Sequence, residues 1–305
     1  MTDPAVDALL GQVALLAGTH RVVTSLGGGL TNRNYRVQTD AVDCVVRVST
    51  SGAETLGVDR EREHANSIAA AAAGVGAPVL DYRPDLGLLV VGFIPSRTFT
   101  PADVRASLPR VAAALRRLHA GPVFSGRFDM LALQRTYAAT VAAQGLRVPD
   151  GYAEAGEAAA RVAAALAEDP EPLVPCHNDL LAANLLDDGE TLHIIDYEYS
   201  GMNESAFELG NLAQENALDD DELAALVAAY DQAPGGEPDP RRVARARLWA
   251  IYAGYGWTLW GVIQAATSDL DADFWGFALE RWEPAREAFA SGVADRLVAT
   301  LRGAA

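Results

Sequence analysis

His177, Asp179 and Asn184 stand in the order His-x-Asp-x4-Asn, and Asp196 and Glu198 follow on the far side of an Asp187-Asp188-Gly189 turn. Phosphoryl transfer from a nucleoside triphosphate needs a carboxylate at the acceptor hydroxyl and oxygen ligands that hold Mg²⁺ on the phosphates. An Asp with an Asn five residues on, in a loop, puts one group at the acceptor and the other at a metal. The hairpin then brings a second carboxylate, Asp196, to the same metal, and oxygen ligands completed by phosphate and water suit Mg²⁺. Asp and Asn are also common turn formers. The whole set, ending in a strand-borne Ile195-Asp196-Tyr197-Glu198, points instead to catalysis.

Two upstream features agree with that chemistry. Gly27-Gly28-Gly29-Leu30-Thr31-Asn32-Arg33-Asn34 links two predicted strands, where a glycine-rich hairpin lays N–H groups over phosphates, although three glycines also make an ordinary turn. Arg47 lies between apolar residues late in a strand. A charge buried there needs an anion or a carboxylate, and Glu63 on the following helix is a candidate partner. A surface arginine with its tip in water is the alternative. All 24 basic residues are Arg, so any role usually given to a lysine falls to arginine.

The elements that must position these groups divide in two. Runs rich in β-formers at 22–26, 34–39 and 43–49, a helix over 58–73 that stops at Gly74, and strands at 79–83 and 86–93 predict a small sheet with one helix. From Thr100 the periodic Ala/Leu/Arg segments 102–119, 131–144 and 153–167 predict helices. One pair of short strands, 185–186 and 192–195, intrudes before helices resume near 204. Ile94-Pro95-Ser96 reads as a hinge. The expected fold class is α+β, with an N-terminal lobe over 1–93 and a mainly helical lobe over 94–305.

The 41 acidic and 24 basic residues give a net charge of -17, which argues against nucleic acid or an anionic membrane as partner. Two cysteines without metal-ligand spacing, Cys44 and Cys176, and an N-terminus without a signal-peptide pattern predict a cytoplasmic chain. Residues 248–267 run without a charge, long enough to span a bilayer. However, Tyr252, Tyr255, Trp257 and Trp260 crowd the middle of that run, whereas spanning helices carry such rings at the interfaces. A buried helix is expected.

With these residues in view, the chain resembles the aminoglycoside phosphotransferase–choline kinase superfamily over nearly its whole length. Gly28-Gly29-Leu30-Thr31-Asn32, His177-Asn178-Asp179-Leu180, Ile195-Asp196-Tyr197-Glu198-Tyr199-Ser200 and Phe207-Glu208-Leu209-Gly210-Asn211 look like the choline and ethanolamine kinase branch. The resemblance implies a bilobal kinase-like fold. It implies Asp179 as base, Asn184 and Asp196 as Mg²⁺ ligands, and Arg47 paired with Glu63 at the phosphates of ATP. Gly28, Gly29, Thr31, Asn32 and Asn34 would surround the nucleotide, with adenine at hinge backbone near Gly92 and Ile94. His177 joins the catalytic loop as a brace rather than a proton shuttle, and Glu198 reads as an outer metal contact or a brace. His119, at a helix end, is assigned to structure.

The family's choline pocket falls here on Tyr199, Glu215, Trp257, Trp260 and Phe277. Aromatic faces with a nearby carboxylate suit a permanent cation that donates no hydrogen bond. Two tryptophans three apart on a helix also share a face for plain core packing. The expected reaction is MgATP-dependent phosphorylation of choline. Ethanolamine, thiamine or an aminoglycoside as acceptor, or a kinase-like binding protein without catalysis, are the alternatives. The sequence leaves the oligomeric state open.

Overall fold

The computed structural model describes residues 4–18, 20–27, 32–49, 56–232, 235 and 237–303. The first part is an antiparallel five-stranded sheet made of β1 (Val22–Leu26), β2 (Asn32–Gln38), β3 (Asp43–Ser49), β4 (Val79–Arg83) and β5 (Leu88–Gly92), in the order β1-β2-β3-β5-β4. Helix α1 (Pro4–Leu10) and the turn after it bury Leu10, Val13 and Leu16 against Val37, Val46, Leu88 and Val90. Helix α2 (Arg60–Ala72) starts where the Asp59 side chain accepts the Arg62 N–H, and it packs on β4. Strand β3 is central, with Arg47 opposite Asn34 on one side and Leu89 on the other. This register carries the Arg47 side chain into the interior.

The second part is mainly helical. Strand β6 (Arg97–Thr98) leads into α3 (Pro101–Ala106), α4 (Leu108–His119), α5 (Met130–Gln144) and α6 (Gly156–Glu168). Four short strands follow: β7 (Leu173–Cys176), β8 (Leu185–Asp187), β9 (Leu192–Ile194) and β10 (Gly201–Glu204). The chain ends in α7 (Ser205–Glu215), α8 (Asp220–Asp231), α9 (Pro240–Thr267), α10 (Phe274–Ala290) and α11 (Val293–Leu301). This mixed architecture, a small antiparallel sheet beside a larger helical part, is the α+β class expected from the sequence.

Three differences from expectation have local causes. The single helix read over 102–119 is two, because α4 restarts after Ser107 with Pro109 in its first turn, where a missing N–H costs nothing. The ladder of β7 with β10 was not expected, since Pro175 within β7 argues against a strand. A two-stranded ladder tolerates it. Strand β6 extends the β8–β9 hairpin through Arg97–Asp187 pairing, so the residues after the hinge tie directly to the loop region.

The uncharged run lies in α9, a 28-residue helix buried on nearly every side by α5, α7, α10 and α11. A helix with neighbours all round has no polar face to show. Gly210 permits the close crossing of α7 and α9, since a Cβ there would meet the Ala246 carbonyl oxygen at 2.2 Å. No helix among the described residues is long and apolar enough to cross a membrane.

Candidate active site

The loop that leaves β7 is suspended from α7 by its backbone. Both Glu208 carboxylate oxygens accept N–H groups, from His177 and from Asn178, each at 2.7 Å. Asn211 Oδ1 accepts the Leu180 N–H at 2.9 Å, and Asn216 Nδ2 donates to the Leu180 carbonyl at 2.9 Å. Asn178 adopts the left-handed conformation with φ 69, and its amide group bridges to the Cys176 and Tyr199 carbonyls. Burial alone would raise the Glu208 pKa, but His119, His177 and the accepted N–H outweigh it and hold the carboxyl below its ordinary range. It therefore stays ionised as a double acceptor for the loop.

His177 has both ring nitrogens engaged. The Asp179 N–H donates to Nδ1 at 3.2 Å, and Nε2 lies 2.8 Å from the Ile195 carbonyl, which makes Nε2 the protonated nitrogen. The ring thus braces the loop against the returning hairpin and has no nitrogen left to move a proton. His119, buried at the end of α4, bonds the Tyr230 hydroxyl at 2.7 Å beneath Glu208.

Asp179 projects from this loop half-buried. Burial first, then the charges of Glu215, Asp196 and Glu198, push its pKa well above the usual carboxylate range, while Arg281 pulls it back. Asn184 Nδ2 donates to the Asp179 carbonyl at 2.9 Å, which leaves Oδ1 as its outward ligand atom. Asp196 has φ 73, a strained conformation for a non-glycine residue that the β8–β9 hairpin imposes.

The structure joins the sheet to this loop through a cluster of charges. Arg47 Nη1 pairs with Glu63 at 2.7 Å, and Arg47 Nη2 pairs with Asp196 at 2.6 Å and Glu198 at 3.4 Å. Burial opposes the Arg47 charge, yet Asp196, Glu63 and Glu198 outweigh it and raise its pKa. Arg60 adds a second cation: Nη1 meets Glu63 at 2.7 Å and Glu198 at 3.4 Å, and Nη2 donates to Asn32 Oδ1 at 2.9 Å. Asn32 Nδ2 in turn donates to Glu198 at 3.1 Å. Sequence reasoning missed Arg60, although its spacing of three from Glu63 puts both on one helical face. It also left Glu198 unresolved, and here Glu198 is a junction between Asn32, Arg47 and Arg60.

These groups fit a magnesium nucleotide. Asn184 Oδ1 and the second oxygen of Asp196 are hard donors of the kind Mg²⁺ takes. Among the described residues, the buried Nε atoms of Arg47 and Arg60 have no hydrogen-bond partner, which leaves each a donor of the kind phosphate takes. Asn34 sits in β2 opposite Arg47. Gly28, Gly29 and Thr31 lie outside the described residues. At the hinge, the Gly92 N–H donates to the Pro78 carbonyl and the Phe93 N–H to the Asp43 carbonyl. The Ser96 hydroxyl donates to the Ile94 carbonyl.

On the other side of Asp179 lies a cavity of about 60 Å³ walled by Asp179, Asn184, Asp196, Tyr199, Glu215, Trp257, Trp260 and Phe277 among others. All five residues of the expected acceptor pocket therefore line one space with Asp179. The Tyr199 and Trp257 rings are 5.0 Å apart and nearly perpendicular, and Trp260 and Phe277 are 4.9 Å apart. Trp260 Nε1 donates to the Tyr199 hydroxyl at 2.9 Å, which fixes both rings. Sequence reasoning missed Arg281, which bonds Glu215 and lies over the Phe277 ring. Its spacing of four from Phe277 was the available signal.

Comparison with known proteins places this geometry. Residues 22–245 match the model of the phosphotransferase enzyme family. A solved structure of a choline/ethanolamine kinase family protein from Mesorhizobium loti superposes with a TM-score of 0.85 at 32% identity, covering 98% of each chain. Ethanolamine kinase 2 of Rattus norvegicus is 33% identical over 134 residues, 38% of this chain and 35% of that protein. Protein LicA of Haemophilus influenzae is 27% identical over 278 residues, covering 87% of this chain and 79% of that protein.

Proposed function

Because the chain belongs to the phosphotransferase enzyme family, within the choline/ethanolamine kinase type of small-molecule kinases, we propose that it transfers the γ-phosphoryl group of ATP to the hydroxyl of choline. The observation that carries this reading is the cavity in which the Asp179 carboxylate faces the rings of Tyr199, Trp257 and Trp260. Rings attract a quaternary ammonium through their faces and ask for no hydrogen bond in return.

In this reading Asp179 orients the acceptor hydroxyl and takes its proton as the oxygen attacks the γ-phosphorus. The aromatic walls fix the far end of the acceptor, so that the hydroxyl is held for in-line attack. Asn184 and Asp196 would hold Mg²⁺, which would supply positive charge where the phosphates become more negative. Arg47, kept in place by Glu63, and Arg60 face the phosphates. Residues 1–93 serve as the nucleotide lobe, with Asn32 near the phosphates and adenine beside Gly92 and Ile94. Residues 94–305 carry catalysis and the acceptor.

The test is ADP release measured in parallel with choline, ethanolamine and an aminoglycoside. Turnover with choline is expected. No turnover with choline alongside turnover of another acceptor would refute the choline reading.

A further inference from the structure

The carboxylate in the acceptor wall has a cationic partner in its own chain. Arg281 Nη2 donates to Glu215 Oε2, and the same guanidinium lies over the Phe277 ring with its carbon 3.2 Å from the ring centroid. Glu215 and Phe277 line the cavity and Arg281 is not among the lining residues, so it acts on the pocket from behind two of its walls. The ion pair is held by packing: the Arg281 and Glu215 side chains are 8% and 1% exposed. Burial raises the Glu215 pKa and the Arg281 charge opposes that rise.

Two consequences follow for an acceptor's ammonium group. Glu215 has its charge met and one oxygen committed, so it is a weaker partner for an ammonium than a bare carboxylate. Phe277 already holds a cation on one face, which weakens the pull of the ring on a second cation. In the wall away from Asp179, Asp196 and Glu198, the remaining attraction comes from the faces of Tyr199, Trp257 and Trp260. A trimethylammonium group gives up nothing in such a pocket, because it has no N–H to satisfy. A primary ammonium brings three donors and finds this wall closed to it.

The geometry points to Arg281 as a positioning residue that sets amine selectivity: by occupying Glu215 and Phe277 it makes the pocket favour a fully methylated ammonium over a primary one. This rests on the acceptor reading above. Removing the guanidinium would return an ionised or ionisable acceptor to the wall, which only a primary ammonium can use through charge-assisted hydrogen bonds.

The experiment compares the parent, Arg281→Met, Arg281→Met with Glu215→Gln, and Glu215→Gln alone. Choline and ethanolamine binding is followed by quenching of tryptophan fluorescence, and turnover of both amines is measured with ATP. In Arg281→Met the affinity ratio of ethanolamine to choline should rise about tenfold, with the KM for ATP unchanged. The rise should vanish in the double variant, because an amide cannot take the released charge. Glu215→Gln alone should leave the ratio within about twofold of the parent, since the carboxylate is not the amine's partner. That variant decides the matter if Arg281→Met does not fold. An unchanged ratio in Arg281→Met, a rise that persists in the double variant, or a large loss of ethanolamine affinity in Glu215→Gln would each overturn the assignment. A parent that binds both amines but phosphorylates neither would sink the kinase reading while the binding ratios still judge Arg281.

Discussion

Residues 177–180 hang on hydrogen bonds to three side chains of α7 and the turn after it, Glu208, Asn211 and Asn216. The wall that faces them is built from rings of α9 and α10 in contact with Tyr199. A hydrogen-bonded strap is directional, and each lost partner leaves a buried polar group exposed to the full cost of desolvation. Ring packing spreads its hold over many weak contacts, so a change of ring can be absorbed in smaller steps. The loop therefore holds a geometry, while the pocket holds a shape that other sequences can retune. On the proposed reading, this contrast would let one phosphotransferase scaffold serve different acceptors, with chemistry in the strapped loop and selectivity in the packed wall.

Changes to the loop should have the largest effects. Asp179→Asn is expected to lower kcat by about 10²–10⁴-fold, the usual worth of a positioned acid–base group, with little change in the KM for ATP. The same variant should melt at a higher temperature than the parent in the absence of ligands. The folded-state pKa of Asp179 is raised, so the folded protein binds that proton more tightly than the unfolded chain. Stability is then lost as pH climbs through the window between the two pKa values, and Asn removes that loss at neutral pH. For the parent, turnover should fall as pH drops through the raised pKa, at a higher pH than an ordinary aspartate would give. A pH–kcat profile checks the sign.

Glu208→Gln comes next. The amide offers one acceptor where the loop needs two, so one buried N–H is orphaned at a cost of about 1–3 kcal/mol in stability. The drop in kcat should exceed any change in either KM, because Glu208 touches the loop and not the cavity. Urea titration and steady-state kinetics separate the two effects. If Glu208→Gln left both stability and kcat at parent values, the contrast between strap and wall would fail.

The wall variants should be milder. Trp257→Ala or Trp260→Ala is expected to raise the choline KM with about 0.5–2 kcal/mol lost per ring face, while the ATP KM stays near its parent value. Equal rises in both constants would mean damage to the α9 packing rather than to the pocket. The smallest effect is expected for Phe277→Tyr, which keeps the ring and adds a hydroxyl. Its choline KM should stay within about twofold of the parent in the same assay.

Much of this was legible in the chain itself. Strands 22–26, 43–49 and 79–83 emerge with the expected bounds, because alternation and β-branched residues mark a half-buried strand locally. The ladder of β7 with β10 escaped, since Pro175 and Gly201 carry weak strand signals and the pairing is decided by which segments lie beside the loop. Asp179, Asn184 and Asp196 were readable from spacing, because a loop and a hairpin of fixed length leave few ways to place them. Arg60 and Arg281 were not. Each sits on a helix among other charged residues, and spacing alone cannot tell an arginine paired at the surface from one turned inward.

What the sequence determined by itself was therefore the kind of chemistry: carboxylates, an amide and an arginine in an order that suits phosphoryl transfer. Those are local facts, carried by residue type and short spacing. Only the tertiary structure decided the partners. It gave Arg47 to Asp196 and Glu198 as well as Glu63, hung the catalytic loop on Glu208, and set Arg281 behind Glu215 and Phe277. The physical reason is burial. A charge removed from water must find its counterpart among whatever groups the packing brings within reach, and that choice is made across the fold rather than along the chain.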